Sequence, residues 1–348
     1  MSSIKKETKL FKFVKRTLNV IKKARIPLRS SKYSNHIYSN HIHLVLLVLK
    51  IKSGMSYEEF MEWTENFPGL WEVLQTENIP HFTTIHKFAG RFPRRYLDMV
   101  ISASSIEDDV WSINTAIDST GFSMTNASYY YTFVIERRRK KGKRGRPRKR
   151  RAIRRHLKAT FVVETNSQMV IAAAIRRGPD NDNKDFIPLY RKMSRLDKRM
   201  LDRALADKGY DSEANHAYIR DVLGADTIIP ARKNRSSDYR TRGRYRREMR
   251  DGYSKKQYYQ RNMVETANSV IKRKMGDSVM AKKCLYQNRE IFFKVIAYNI
   301  ERGLKITLFI LKGFLEGRLI PLNIKSRLTK KFKRHLFLDR LFPCYPNL

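Results

Sequence analysis

The apolar positions of the first hundred residues recur at the spacing of helices. Residues 39–52 carry an apolar block, and the capping-box pattern SYEE at 56–59 begins a second predicted helix. A third predicted helix covers 83–92, after the break at Pro80. Residues 1–100 are therefore predicted to form a helical domain.

Two short helices joined through NIPHFTT are compatible with a helix-turn-helix motif that binds DNA. The motif would direct four side chains toward DNA: Thr83, Thr84, His86 and Lys87. A helical cap without base contacts explains the pattern equally well, and both interpretations stay open. His36, His41 and His43 do not predict a metal site, because no carboxylate or Cys joins them at ligand spacing. They favour a polar start of a helix.

Strand patterns replace the helical spacing from about residue 105. The predicted strands cover residues 111–119, 156–165, 169–177, 203–210 and 226–232. Helices are predicted at 185–194, after a turn at 178–183, and at 212–223. Three strands followed by strands that alternate with helices predict an α/β domain over 105–315, with a mixed sheet covered by helices. A predicted helix at 291–315 ends this domain.

Net charge narrows the class of partner. The chain of 348 residues carries 73 Lys and Arg against 33 Asp and Glu, a formal net charge of +40. A charge this large repels itself unless a polyanion is bound, so nucleic acid or an anionic membrane surface is expected. The apolar stretches at 43–51 and 291–315 are too short, or too interrupted by charge, to span a bilayer. Nucleic acid is therefore the predicted partner of a soluble intracellular protein.

Two segments concentrate the basic charge, 137–155 and 232–250. Runs of like charge repel until something acidic binds, so both are predicted to be loops or arms that order on DNA. Within the first segment, Arg144 and Arg146 form an Arg-Gly-Arg core that can lie along a narrow minor groove. Both arginines are predicted DNA contacts, in the groove or on phosphates. Residues 316–348 are predicted to be a basic carboxyl-terminal tail.

One basic stretch, YYQRNMVETANSVIKRKMG at 258–276, contains a single carboxylate, Glu265. Ser254 and Gly276 bound a predicted helix over 255–275. At about 100° per residue, four polar residues share one edge of that helix, away from its apolar face: Tyr258, Arg261, Glu265 and Lys272.

Two interpretations of Glu265 follow. It could form an i,i+4 ion pair with Arg261, which supports an exposed helix by only about 0.2–0.5 kcal/mol. It could instead bind a hard cation such as Mg²⁺, which prefers carboxylate and phosphate oxygens. Arg261 and Lys272 would then hold flanking phosphates, and Tyr258 would stack on a base or donate to a phosphate.

A metal site needs further carboxylates. Asp118 in AIDSTGF and Asp207 in ALADKGYDS each follow an apolar run, which predicts that each ends a strand at the carboxyl edge of the sheet. Lys208 beside Asp207 could contact a phosphate or remain solvated. Asp residues after strands are common in turns, but two of them together with Glu265 favour the site. The other acids nearby are expected to be turn or cap residues: Asp180, Asp182, Asp211 and Glu213.

The order Asp118, Asp207, Glu265 resembles the DDE triad of transposases from bacterial and archaeal insertion sequences. The segment around Glu265 is similar to their tyrosine-arginine-glutamate-lysine signature in all four identities and in the gaps of two, three and six residues between them. The resemblance covers roughly residues 40–300. It assigns no role to the basic segment at 137–155.

This resemblance implies a ribonuclease H-like catalytic domain that transfers phosphoryl groups on DNA. Asp118, Asp207 and Glu265 would bind two Mg²⁺ or Mn²⁺ ions, cleave the ends of an element and join its 3′-hydroxyl to target DNA. A homodimer or larger assembly would hold the terminal repeats and the target, both double-stranded DNA. The protein would be cytoplasmic and associated with the nucleoid. The alternative is a catalytically inactive or domesticated DNA-binding protein that uses charge alone. An aspartyl-phosphate enzyme at Asp118 is disfavoured, because no second acid follows two residues later.

Overall fold

The computed structural model describes residues 8–33, 37–105, 112–125, 156–178, 180–232 and 241–315. Contacts divide the chain into two compact units, Met1–Gly303 and Leu304–Leu348. The amino-terminal helices and the sheet thus belong to one compact unit, and a separate DNA-binding domain over 1–100 stays a prediction. Three predictions lie outside the described residues: the arm at 137–155 with Arg144 and Arg146, the place of His36, and the tail at 316–348.

Helices form the amino-terminal part: α1 Lys9–Lys23, α2 Asn40–Ser53, α3 Tyr57–Glu65, α4 Pro68–Leu74, α5 Phe82–Arg91 and α6 Arg94–Ser105. The helices predicted at 39–52 and 83–92 are present as α2 and α5, and α3 begins at the predicted capping box. The Ser56 hydroxyl accepts from the Glu59 backbone N–H at 3.2 Å, and the Glu59 carboxylate accepts from the Ser56 N–H at 2.9 Å. α2 is buried over almost its whole length and forms the centre of this helical layer.

Within the described residues, six strands form one mixed sheet: β1 Ile113–Met124, β2 His156–Glu164, β3 Val170–Arg177, β4 Leu201–Ala206, β5 Asp226–Ile228 and β6 Ser278–Val279. In the order β3-β2-β1-β4-β5, the first three strands of the chain are antiparallel neighbours, and β4 and β5 continue the sheet in parallel with β1. β6 pairs in parallel with the end of β1. The predicted mixed sheet is confirmed, but two predicted strands are too long, because residues 208–210 form a 3₁₀ helix and β5 ends at Ile228.

Helices cover both faces of the sheet. α7 Asn183–Lys192, which the short α8 Arg195–Arg199 follows, packs on β2 and β3, where Tyr190 contacts Thr115 of β1 at 2.9 Å. α12 Asn262–Met275 packs on β1 and β2, where Asn268 contacts Asp118 of β1. Side chains alternate between the two faces of a strand, so Thr115 and Asp118 point to opposite sides and α7 and α12 flank the sheet.

A long final helix, α13 Cys284–Leu315, begins earlier than the predicted helix at 291–315. Its Asn299 binds the edge strand β3 through both amide atoms, since Oδ1 accepts from Val170 N–H at 2.9 Å and Nδ2 donates to Val170 O at 2.7 Å. The buried Lys294 donates to the carbonyl oxygens of Gly276 and Ser278 at 3.0 and 2.7 Å. α13 therefore fixes the sheet edge and the end of α12. No helix among the described residues is long and apolar enough to cross a membrane.

The second predicted arm is partly an ordered helix. Residues 244–251 form α10 Arg244–Asp251, which packs on α9 Glu213–Ala217. Asp211 accepts from Arg246 at 2.7 and 2.8 Å, and the Glu213 carboxylate accepts from the first backbone N–H groups of α10. The prediction of a loop or arm that orders on DNA is wrong for residues 244–250, which form a helix whose Arg246 is paired with an acidic side chain of the protein itself. Residues 233–240 lie outside the described part.

Candidate active site

Asp118 lies in the middle of β1, not at its end as predicted. β1 continues to Met124 because residues 119–123 pair with β2 in an antiparallel ladder, in which Asp118 is the partner of Phe161. On its other side β1 pairs with β4, and that ladder ends where Ile117 meets Ala206, the last residue of β4. Asp118 therefore lies just beyond the carboxyl end of the neighbouring strand β4. The sequence predicted it at such a carboxyl edge of the sheet.

Asp207 follows Ala206 directly and stays extended, with φ −73° and ψ 163°. Since Ile117 and Ala206 are register partners, Asp118 and Asp207 are the next positions on two neighbouring strands, which lie about 4.8 Å apart in a sheet. The Asp207 carboxylate accepts from the Lys208 backbone N–H at 2.6 Å and so starts a 3₁₀ helix, Lys208–Tyr210. The Asp207 and Lys208 side chains are exposed.

Arg232 holds the turn that carries Asp207, a role that its sequence context did not reveal. Its guanidinium donates to the carbonyl oxygens of Lys208 and Gly209, both at 2.6 Å, and its backbone N–H donates to Asp211 at 2.9 Å. The prediction that Asp211 and Glu213 cap the next helix is wrong. Both carboxylates instead receive donors from the segment that begins at Arg232, because the fold returns this segment to the end of β4.

Glu265 lies in the first turn of α12, and the predicted continuous helix over 255–275 is divided into three parts. A short helix α11, Lys255–Tyr258, is followed by the 3₁₀ turn Tyr259–Arg261 before α12 begins. The 3₁₀ turn contacts both β1 and β4. Arg261 Nη2 forms an ion pair with Glu265 Oε1 at 2.7 Å, so the first interpretation of Glu265 is present in the structure.

Arg261 interacts with all three acids of the predicted triad. Beyond its ion pair with Glu265, its guanidinium exerts an attractive electrostatic effect on Asp118 and on Asp207. The guanidinium also lies 5.8 Å from the centre of the Tyr258 ring. The positive charge of Arg261 thus acts on all three carboxylates, in a turn that contacts both β1 and β4.

Lys272 extends the same surface along β1. Its Nζ lies 5.7 Å from the centre of the Phe122 ring, and Phe122 is four positions beyond Asp118 on the same face of the strand. Lys272 therefore lies beside the strand that carries Asp118, on whose carboxylate Arg261 and Glu265 also act electrostatically.

Asp118 is poorly solvated. Burial raises its pKa to about 6, and the nearby charges of Glu265 and Asp182 act in the same direction, while a hydrogen bond to the Ser119 backbone and the charge of Arg261 oppose them. One of its oxygens, Oδ2, accepts a hydrogen bond from Asn268 Nδ2 of α12 at 3.1 Å. A carboxylate held in this way is suited to binding a cation, which compensates for the lost solvent.

The donor chemistry of Asp118, Asp207 and Glu265 suits Mg²⁺ or Mn²⁺, because these ions prefer carboxylate oxygen. Over the described ranges, however, no three Asp, Glu, His or Cys side chains are gathered closely enough to hold a metal ion together. Glu265 is turned to Arg261, and its side chain is 51% exposed and so has room to change rotamer. The three-carboxylate metal site remains a prediction.

The other candidate residues have contacts of their own. Asp182 forms an ion pair with the buried Lys158 at 2.6 Å, and Asp180 pairs with Lys184 at 3.0 Å, as expected of turn residues. His41 Nε2 contacts the Ile26 carbonyl at 2.7 Å. The ring of His43 stacks on that of Phe88, with centroids 4.4 Å apart. These histidines belong to the helical layer, which agrees with their predicted place at the start of a helix.

The helix-turn-helix interpretation is weakened by two internal contacts of α5. Thr83 Oγ1 lies 2.8 Å from His81 Nδ1 at the start of the helix. The His86 ring stacks on Tyr286 of α13, with centroids 4.6 Å apart. Both side chains are engaged within the protein, which favours a helical cap, whereas Thr84 and Lys87 stay predicted DNA contacts.

The chain matches the family described as "Transposase DDE domain" over residues 113–300, more than half of its length. It therefore belongs to the DDE transposases, as the sequence predicted, whereas the particular insertion-sequence group stays a prediction. Comparison with curated protein sequences gives no match.

A similar solved structure is the piggyBac transposase synaptic complex with hairpin DNA, seen by cryo-EM. It is 12% identical, with a TM-score of 0.44 over 95% of this chain and 77% of that chain. A TM-score at this level supports no further conclusion.

Proposed function

We propose that this transposase belongs to the insertion-sequence group with the tyrosine-arginine-glutamate-lysine signature. We propose further that it cleaves DNA at the ends of its element and joins them to target DNA. The observation that carries the proposal is the register of β1 and β4. It makes Asp118 and Asp207 neighbours, and Arg261 links both of them electrostatically to Glu265. A ribonuclease H-like catalytic domain is part of the proposal, supported by three antiparallel strands that two parallel strands continue.

Asp118, Asp207 and Glu265 would hold two Mg²⁺ or Mn²⁺ ions. When bound, such ions supply activation of a water or a 3′-hydroxyl and stabilisation of the leaving oxygen. Asp118 is suited to this role because its pKa of about 6 leaves it mainly ionised at pH 7.5, while its burial favours a cation close by. Glu265 would exchange Arg261 for the metal by rotating its exposed side chain.

The basic residues around the triad would bind the DNA backbone. Arg261, once released by Glu265, can form a bidentate contact with a phosphate, and Lys272 and Lys208 can act as point charges. Tyr258 lies beneath the Arg261 guanidinium and would stack on a base or donate to a phosphate. Arg144 and Arg146 would contact the minor groove or phosphates outside the active site. The formal charge of +40 supports such a partner, and we place the protein on the nucleoid as a homodimer or larger assembly.

The test is Mg²⁺-dependent nicking of a DNA that carries the terminal repeats of the element. Asp118→Asn, Asp207→Asn and Glu265→Gln should each lower the nicking rate by at least about 100-fold, because each removes a ligand of the reacting centre. DNA binding should persist, since no phosphate contact is removed. Asp251→Asn, an exposed acid at the end of α10, is the matched control and should nick normally. Nicking by all three variants at the wild-type rate would reject the assignment and favour a DNA-binding protein that uses charge alone.

A further inference from the structure

Asn268 interrupts the apolar face of α12. Its neighbours on that face, Val264, Ala267 and Ile271, are fully buried apolar residues, and Asn268 itself is only 6% exposed. It follows Glu265 by three positions, so the two side chains lie on adjacent turns of one face. The same short helix therefore carries a proposed metal ligand and a buried amide.

The amide of Asn268 is only half used within the described structure. Nδ2 donates to Asp118 Oδ2 at 3.1 Å, whereas Oδ1 is buried and has no hydrogen-bond partner there. A buried polar atom without a partner costs about 1–3 kcal/mol, so an apolar residue at this position would suit the packing of α12 better. Stability alone does not explain an amide here.

Asn299 shows how a structural amide differs. It is fully buried on α13, its Oδ1 accepts from Val170 N–H, and its Nδ2 donates to Val170 O and to Ser104 Oγ at 2.7 and 2.8 Å. All of its contacts are with structural groups. Among the described residues, the Asn268 side chain by contrast makes one hydrogen bond, and its partner is the carboxylate of a proposed ligand.

We infer that Asn268 is a positioning residue, which fixes the Asp118 carboxylate for cation binding and ties it to the helix that carries Glu265. The N–H donor on Oδ2 favours the ionised carboxylate and fixes the position of this oxygen. Both partners lie on regular elements, the strand β1 and the helix α12, so the orientation is held rigidly. This inference rests on the proposed function.

Binding of Mn²⁺ to the full-length protein, followed by electron paramagnetic resonance, tests the role directly. Asn268→Ala should weaken Mn²⁺ binding by about 10- to 100-fold, the usual effect of removing a group that orients a metal ligand. Asn268→Leu keeps the branched shape and the number of side-chain heavy atoms and should show the same loss, which covers the case that the alanine variant does not fold.

Two control variants separate positioning from packing. Ser269→Ala changes the next residue of α12, which is exposed, and should bind Mn²⁺ as the wild type does. Asn299→Ala should lower the melting temperature without changing Mn²⁺ affinity in the folded protein, as expected of a structural amide. The Mg²⁺ concentration that gives half-maximal nicking should rise for Asn268→Leu and not for the controls.

The outcomes also separate this inference from the proposed function. Mn²⁺ affinity within about twofold of the wild type in a folded Asn268→Leu variant would overturn the role of Asn268 and leave the triad intact. If Asp118→Asn bound Mn²⁺ as tightly as the wild type, or the wild type bound none, the proposed function and the role of Asn268 would fail together.

Discussion

Arg261 and Glu265 form an ion pair of 2.7 Å across the start of α12. The same guanidinium also attracts Asp118 and Asp207 electrostatically, so one cation of the chain acts on all three acids that the proposed function assigns to metal binding. The two interpretations of the lone Glu in a basic helix are therefore compatible. The ion pair is present in the structure, and Glu265 can bind a metal ion once this ion pair is broken.

Arg261→Gln should tighten Mn²⁺ binding by the free protein and weaken its binding to DNA. Removing a positive charge beside the carboxylates relieves repulsion of the metal by on the order of 1 kcal/mol, about fivefold in affinity. The loss of a phosphate contact has the opposite effect on DNA binding. Metal titration and a DNA-binding assay measure both effects. Arg273→Gln, an exposed residue of α12, is the control, and weaker Mn²⁺ binding by Arg261→Gln would contradict the prediction.

Asp118→Asn should stabilise the metal-free protein above pH 6 and not at pH 4. Burial raises the pKa of Asp118 from 3.8 to about 6, so the folded protein retains a proton that the unfolded chain releases near pH 4. Stability contributed by this group is therefore lost as pH rises from about 4 to 6, and asparagine avoids the loss. The variant should melt roughly 2–4 °C higher at pH 7.5, the shift that about 1 kcal/mol produces at this size.

Melting curves at pH 4 and pH 7.5 check this expectation, with Asp251→Asn as the control for the removal of one acidic charge. Equal melting temperatures of Asp118→Asn and the wild type at both pH values would show that the buried carboxylate does not cost stability.

His43→Phe should reduce the sensitivity of the fold to acid. Burial lowers the pKa of His43 from 6.5 to about 4, and its ring stacks on Phe88. The unfolded chain binds a proton near pH 6.5 and the folded protein does so only near pH 4, so stability is lost as pH falls through this interval. Burial lowers the pKa of His216 to about 4 as well, so the His43→Phe variant should still lose part of its stability in acid.

Thermal melting at pH 7 and at pH 4.5 measures the effect. The drop in melting temperature between the two should be smaller for His43→Phe than for the wild type. An equal drop would mean that His43 is protonated in the folded protein.

Asp211→Ala should loosen α10 and the turn after β4 together. The Asp211 side chain is fully buried and accepts two hydrogen bonds from Arg246, which is 21% exposed. Breaking a buried pair leaves an uncompensated charge, and the free energy of unfolding should fall by about 3 kcal/mol. Asp251→Ala breaks the exposed pair with Arg250 and should cost less than about 1 kcal/mol. Urea denaturation and the rate of trypsin cleavage within α10 distinguish the two, and equal losses would disprove the structural role of Asp211.

Features that depend on residues three or four apart were predictable from the sequence. The capping box at Ser56 and the helices α2 and α5 are examples, because a cap and an apolar stripe are local patterns. The ends of elements were less predictable. β1 extends past Asp118 because β2 pairs with it, and α12 starts late because the turn before it packs on β1 and β4.

The sequence by itself determined the family, through three acids and a spaced signature, and the class of partner, through its charge. Only the tertiary structure decided which residues surround those acids. Asn268 donates a hydrogen bond to Asp118, and Arg232 donates to the backbone of the turn that follows Asp207. Asp211 accepts hydrogen bonds from Arg246. The physical reason is that strand register and helix docking join residues far apart in the chain, and no local pattern of polar and apolar positions encodes such a contact.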